Sequence, residues 1–295
     1  MMSHSLRIPD RNLSRSNDVH LDMKCLAATL TIGISMLAIG CSHHPKAKTL
    51  NPTHKSASKP NPVPVIHIIV ALCDNKYQGI IPVPAKIGNG DDPEENLYWG
   101  CDLGIKTYFR RSADWKLAQI IRNPSPVILE RLIFTHRKTN AVMVADAYRG
   151  REIKRGTEDF LAFAGGNSPS TLVRNKQNLS IGGGADFLIY VGHDGLMNFG
   201  VNPSRPSAQS HPKKVAILCC KSQEFFGKAI KSVNAVPVLW TKSLMAPEAY
   251  VAEAAIQSYL KKDSANQATE RAAKAYGKYQ KCSLRAARTV FTSGF

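Results

Sequence analysis

The stretch DFLIYVGHDGLMNF, Asp186 to Phe199, decides the fold. Its apolar run carries no polar alternation and ends on Gly192, which is how a strand buried on both faces of a parallel sheet reads. His193, Asp194 and Gly195 then fall in the loop at the carboxyl end of that strand, where α/β proteins keep their working residues. A second run, KKVAILCCKSQEFF from Lys213, closes in the same way on Cys219 and Cys220.

Outward from this pair, apolar β-type runs alternate with helical stretches. IHIIVAL (Ile66 to Leu72) is a first strand, followed by a Gly/Pro/Asp-rich loop. LYWGCDLGIKTYFRRSADW (Leu97 to Trp115) reads as a helix, with acidic residues just ahead of it that suit its dipole. VILERLIF and NAVMVADAY are strands flanking THRKT, a hairpin pattern, and TEDFLAFAGG is a short helix stopped by glycines. After KVAILCC come a helix (SQEFFGKAIKSVNA), a strand (VPVLWT) and closing helices in APEAYVAEAAIQSYL, QATERAAKAYGKY and SLRAARTVF, the last capped by Ser283. This order predicts an α/β fold, a three-layer sandwich with a mostly parallel sheet, as one domain over residues 65–295. GGGAD, Gly182 to Asp186, precedes a strand rather than following one, so it reads as a turn and not a phosphate cradle.

The beginning of the chain reads differently. From Met23 a lysine leads into a short apolar run that ends in Leu37, Ala38, Ile39, Gly40 and Cys41. That is a secretory signal resembling the bacterial lipobox, with Cys41 as the lipidated residue, Met23 as the better initiator and residues 1–41 as the signal; a plain signal peptide or one membrane anchor helix is the alternative, disfavoured by the shortness of the run. Residues 42–64 are rich in Pro, Ser, Lys and His with almost no apolar content, the composition of a disordered tether. Ser42 favours the outer membrane by analogy with known lipoproteins, so the expected location is the bacterial cell envelope, membrane-anchored through lipid.

The formal net charge of +17 belongs to the rest of the chain, since Arg7, Arg11, Arg15 and Lys24 are nearly offset by Asp10, Asp18 and Asp22. Such a balance suits anionic surfaces or polymers. The cations are scattered and no nucleic-acid motif is present, so nucleic acid is not the expected partner. Beyond Cys25 and Cys41, five cysteines remain, Cys73, Cys101, Cys219, Cys220 and Cys282; an odd number in an oxidising compartment leaves at least one free thiol or a pairing between chains. No spacing suits zinc, no cofactor motif is found, and the oligomeric state is open.

A thiol becomes a nucleophile when a base takes its proton or a positive charge stabilises the thiolate. His193 and Cys220 each follow a core strand, and the strands are successive, which places both at one end of the sheet as candidate base and nucleophile. Backbone N–H groups in the loop after His193, at Asp194 and Gly195, and at Cys220 itself are candidate oxyanion donors. Cys219 is expected to point the other way, into the core, because strand residues alternate faces. Asp146, Tyr148, Arg149, Trp240 and Lys242 follow or end other strands and are candidates for the same rim.

YVGHDG and ILCCKS resemble the caspase-like cysteine peptidases, the group of caspases, metacaspases, legumain and gingipains. In them one strand ends in a His-Gly pair and the next in a Cys followed two residues later by Ser or Gly. The likeness covers roughly residues 65–259 as an order of strands and helices. It departs at Asp194, which stands between His193 and Gly195, and at Leu218 and Cys219, where the family often has a polar pocket residue. The resemblance implies a caspase-like fold, peptide-bond hydrolysis by Cys220 with His193, a peptide or protein substrate, and a pocket residue near Asp74 that would select Lys or Arg. Asp74 equally suits the start of a turn. Two other functions fit the residues: the same fold without turnover, serving as a binding or scaffold lipoprotein of the envelope, or a different doubly wound hydrolase or small-ligand domain using the same crevice.

Overall fold

The computed structural model describes residues 61–295, so the signal, the lipobox with Cys41 and nearly all of the tether lie outside the described residues. In chain order the elements are β1 (Val65–Ala71), α1 (Ile105–Arg111), β2 (Trp115–Ser125), β3 (Ile128–His136), β4 (Val142–Tyr148), α2 (Ile153–Ala164), β5 (Pro169–Arg174), β6 (Gln177–Gly182), β7 (Phe187–Val191), β8 (Lys214–Leu218), α3 (Ser222–Ser232), β9 (Val236–Thr241), α4 (Ala249–Lys261), α5 (Ala265–Tyr279), α6 (Leu284–Arg288) and β10 (Phe291–Thr292).

Eight strands form one mixed sheet in the order β10-β9-β8-β7-β1-β4-β3-β2, and β5 and β6 form a separate hairpin. The central strands β4, β1, β7, β8 and β9 are mutually parallel; β3 and β2 continue the sheet antiparallel on one side and β10 on the other. Every residue of β1 is buried, which its unbroken apolar sequence requires. Ile66, Ile68 and Val70 face a layer formed by Ile105 and Phe109 of α1, Tyr250 and Ile256 of α4 and Ala272 of α5. Val65, Ile69 and Ala71 face Phe160 and Leu161 of α2 and Phe226 and Ile230 of α3. Helices thus cover both faces, and the expected three-layer α/β sandwich is the observed architecture.

The chain leaves β1 for β4 on one side and later returns to place β7 on the other. That reversal falls between β1 and β7, and the region beyond the carboxyl ends of the strands at such a point is where open α/β sheets hold ligands.

Four elements depart from the sequence expectation, one of them the closing helix, which ends at Arg288 and gives way to β10 at Phe291. The helix read over residues 97–115 is only α1, Ile105–Arg111, and Trp115 instead opens β2. The preceding residues fold as turns because Gly100 lies against the backbone of Glu94, where an added Cβ would come within 1.9 Å of the carbonyl oxygen. They are held down by the Trp99 indole N–H, which donates to Glu130 at 2.8 Å, and by Lys106, which pairs with the same buried carboxylate at 3.0 Å. Strand β2 and the hairpin β5–β6 are new: their residues are largely exposed and give little apolar signal.

Candidate functional site

Strands β7 and β8 pair in parallel register, with Val191 beside Leu218. The chain then leaves β7 through Gly192, whose φ of 146° and close approach to Ala71 admit no side chain, since an added Cβ would lie 2.8 Å from the Ala71 carbonyl oxygen. His193 follows, half-buried, with its carbonyl accepting from the Tyr190 hydroxyl at 3.0 Å. Its ring Nε2 bonds Oδ1 of Asn198 at 2.6 Å, so Nε2 carries the hydrogen and Nδ1 is the nitrogen left to act as a base. Asp194 caps the one-turn 3₁₀ helix Gly195–Met197 by accepting from the Leu196 N–H at 3.0 Å.

On β8 the last residues divide between the two faces. Cys219 is fully buried in the layer under α2 and α3, whereas Cys220 is only half-buried. The chain turns from strand to helix at Lys221, which takes a left-handed conformation with φ 48° and donates its N–H to Ser243. A non-glycine residue in that region stores strain, and this strand-to-helix corner follows directly on Cys220. Ser222 anchors the corner: its hydroxyl donates to the Ile217 carbonyl at 2.8 Å and its N–H to Thr241 at 3.0 Å.

The Cys220 sulfur meets the backbone of Met245, accepting from its N–H at 3.5 Å and donating to its carbonyl at 3.6 Å. Among the described residues no hydrogen bond joins it to His193. Burial pushes the Cys220 thiol up from its ordinary value, the Met245 N–H draws it back, and the Asp194 carboxylate raises it again. Asp194 is itself wholly buried; burial lifts its carboxyl to about 7, against the backbone N–H groups of Leu196 and Met197 that lower it. One of its oxygens has no hydrogen-bond partner, although the Cys219 thiol lies beside it. Tyr98, buried in the loop that the helix expectation misplaced, brings its hydroxyl to Cys73 and close to Cys220. Burial pushes the Cys73 thiol to about 11.

The structure therefore gathers His193, Asp194, Gly195 and Cys220 at one end of the sheet, each just beyond neighbouring parallel strands. Neither Asp194 nor Gly195 donates its N–H to a backbone acceptor among the described residues; both residues are buried, Gly195 against the Phe199 ring. Asp74 lies just past β1. It is 5% exposed, its Oδ1 accepts from the N–H groups of Lys76 and Tyr77 at 2.8 and 3.1 Å, and its other oxygen is packed against Gly90 and Gly150. It builds a turn, the plainer of the two sequence readings.

The other rim candidates have structural partners or lie within the core, except Lys242, which is exposed and bonds Val290 through its backbone N–H alone. Asp146 is in mid-strand, bonded to Arg131 and His67, and Tyr148 donates to Asp159 at 3.0 Å. Arg149 pairs with Asp91 at 2.6 Å, and Trp240 is buried under α3. Asn198, Met245 and Tyr98 were not marked by sequence. Only the five-residue spacing from His193 to Asn198, within one short loop, could have suggested the first. Comparison with protein-family models, with curated proteins and with solved structures found no match.

Proposed function

We propose that the protein is a cell-envelope lipoprotein whose caspase-like domain hydrolyses a peptide bond, with Cys220 as nucleophile and His193 as acid and base. The observation that supports this most is that two neighbouring parallel strands in register, β7 and β8, are followed by a half-buried histidine and a half-buried cysteine at the same end of the sheet. In the reaction the Cys220 sulfur bonds to the scissile carbonyl carbon and its proton passes to the His193 ring. The developing oxyanion is met by the N–H groups of Asp194 and Gly195. The C–N bond then breaks, the imidazolium gives its proton to the leaving amine, and water, deprotonated by the same ring, releases the acyl group from sulfur.

Before substrate binds, each side chain bonds elsewhere, the imidazole to Asn198 and the thiol to Met245. With Nε2 held by Asn198, Nδ1 is the atom that takes the proton. That same arrangement supports a second function from another class, a binding or scaffold lipoprotein with no turnover. Lipid attachment at Cys41 and a place in the envelope rest on the run Leu37 to Cys41, outside the described residues.

The two are separated by incubating the full chain with a diverse peptide library and mapping new termini by mass spectrometry. The peptidase is expected to leave a consistent residue before the cut, with cleavage reduced at least about a hundredfold in both Cys220→Ala and His193→Ala. Absence of cleavage, or cleavage indifferent to either substitution, leaves the scaffold.

A further inference from the structure

We propose that the outer edge of β2 docks an extended acidic segment of another protein, which adds to the sheet as a further strand. Trp115–Ser125 is the last strand of the eight and pairs with β3 on one side only, over eleven residues. The backbone N–H and C=O groups of its other side have no ladder partner among the described residues. On the sheet face beside this edge, between the β2–β3 pair and the β5–β6 hairpin, lies a groove of about 680 Å³, lined by Lys116, Gln119, Ile133, Thr135, Arg137 and Arg174 among others and by no carboxylate.

Charged residues on an edge strand commonly serve to prevent unwanted pairing, and Lys116 and Arg122 suit that role. It does not account for Arg137 and Arg174, which arrive from the β3–β4 turn and from β5 and converge on the same groove. Nor does it account for the Thr135 hydroxyl, which is enclosed in the groove wall without a partner. Val173, 68% exposed, and Ile120, 39% exposed, add apolar contacts of the kind that take alternate side chains of an added strand.

Charge selects the occupant. A second copy of β2 laid antiparallel about Gln119 would set Lys116 against Arg122 and bring two basic edges together. The chain's own segment 42–60 carries Lys46, Lys48, Lys55 and Lys59 with no acidic residue. An acidic partner meets three unmatched cations, and the unpaired strand edge favours a polypeptide over a polymer without backbone amides. No residue of the crevice takes part, so docking at this edge is independent of the peptidase reaction.

The test is fluorescence anisotropy with the full chain in detergent and a labelled peptide of alternating Glu and Val. This peptide is expected to bind, and its Lys counterpart is not. The triple variant Lys116→Glu, Arg137→Glu, Arg174→Glu should weaken binding at least about tenfold, and so should N-methylation of alternate peptide amides. If the variant fails to fold, the N-methylated peptide still decides the matter on the parent chain. Failure of the acidic peptide to bind, equal binding of the Lys peptide, indifference to N-methylation, or displacement by polyphosphate at equal charge would each overturn the proposal. So would a dimer of the parent chain that the triple variant dissolves, which would assign the edge to a second copy.

Discussion

Asp194 lies directly between the histidine and the glycine of the site, wholly buried, with a carboxyl lifted to about 7 by that burial. In the unfolded chain it titrates near 3.8. Between these values the folded protein holds a proton that the unfolded chain has lost, so this contribution to stability is fully present below about pH 4 and falls as pH rises through 7. Urea unfolding at a series of pH values should show the descent, and Asp194→Asn should flatten it by on the order of 2 kcal/mol between pH 5 and pH 8 while its amide oxygen keeps the cap on Leu196. An unchanged pH profile in the variant would remove Asp194 as its source. At this scale the strand-end positions of His193 and Cys220 were legible, because an apolar run ending in glycine or cysteine marks a strand end. It was silent on Asn198 and Met245, whose grip on the two side chains depends on loop conformation and, for Met245, on a segment far along the chain.

Among the elements, β1, β3 and β4 are tied by a buried chain of polar groups. The Gly182 N–H donates to His67 Nδ1 at 3.1 Å, and His67 Nε2 in turn donates to Asp146 at 3.0 Å. Arg131 grips the same carboxylate through two bonds of 2.6 Å. Burial opposes the Asp146 charge, but Arg131 and His67 outweigh it and hold the carboxyl below its ordinary value. Asp146→Ala leaves the Arg131 guanidinium without its counter-charge and the His67 N–H without an acceptor, and should cost about 3–5 kcal/mol, read as a lowered urea midpoint at pH 7. A loss within about half a kcal/mol would show that the network carries no stability. The strands of this network were legible because each is an apolar run, even with Asp146 inside one of them. Strand β2 was not: WKLAQIIRNPS is mostly exposed, contains Asn and Pro, and follows apolar residues at helical spacing from Leu97 to Phe109 that masked the true turn at Gly100. The β5–β6 hairpin turns at Asn175 and Lys176, both at positive φ, and lysine there gives no turn signal.

At the scale of the whole molecule, alternation of strands and helices was enough to give the sandwich, since helices on both faces are the only way to bury strands such as β1. The same topology sets the proposed function, because the reversal between β4 and β7 puts the loops of His193 and Cys220 on one rim. Cys220 shares the described part of the chain with four other free thiols, Cys73, Cys101, Cys219 and Cys282, which serve as internal controls. The most direct measurement is the rate at which a peptidyl acyloxymethyl ketone labels each cysteine of the folded protein, followed by mass spectrometry. The peptidase account expects Cys220 to be labelled at least about tenfold faster than the others, with that advantage lost in His193→Ala. Labelling of Cys220 no faster than of the other accessible thiols, or a rate unchanged by His193→Ala, would contradict it.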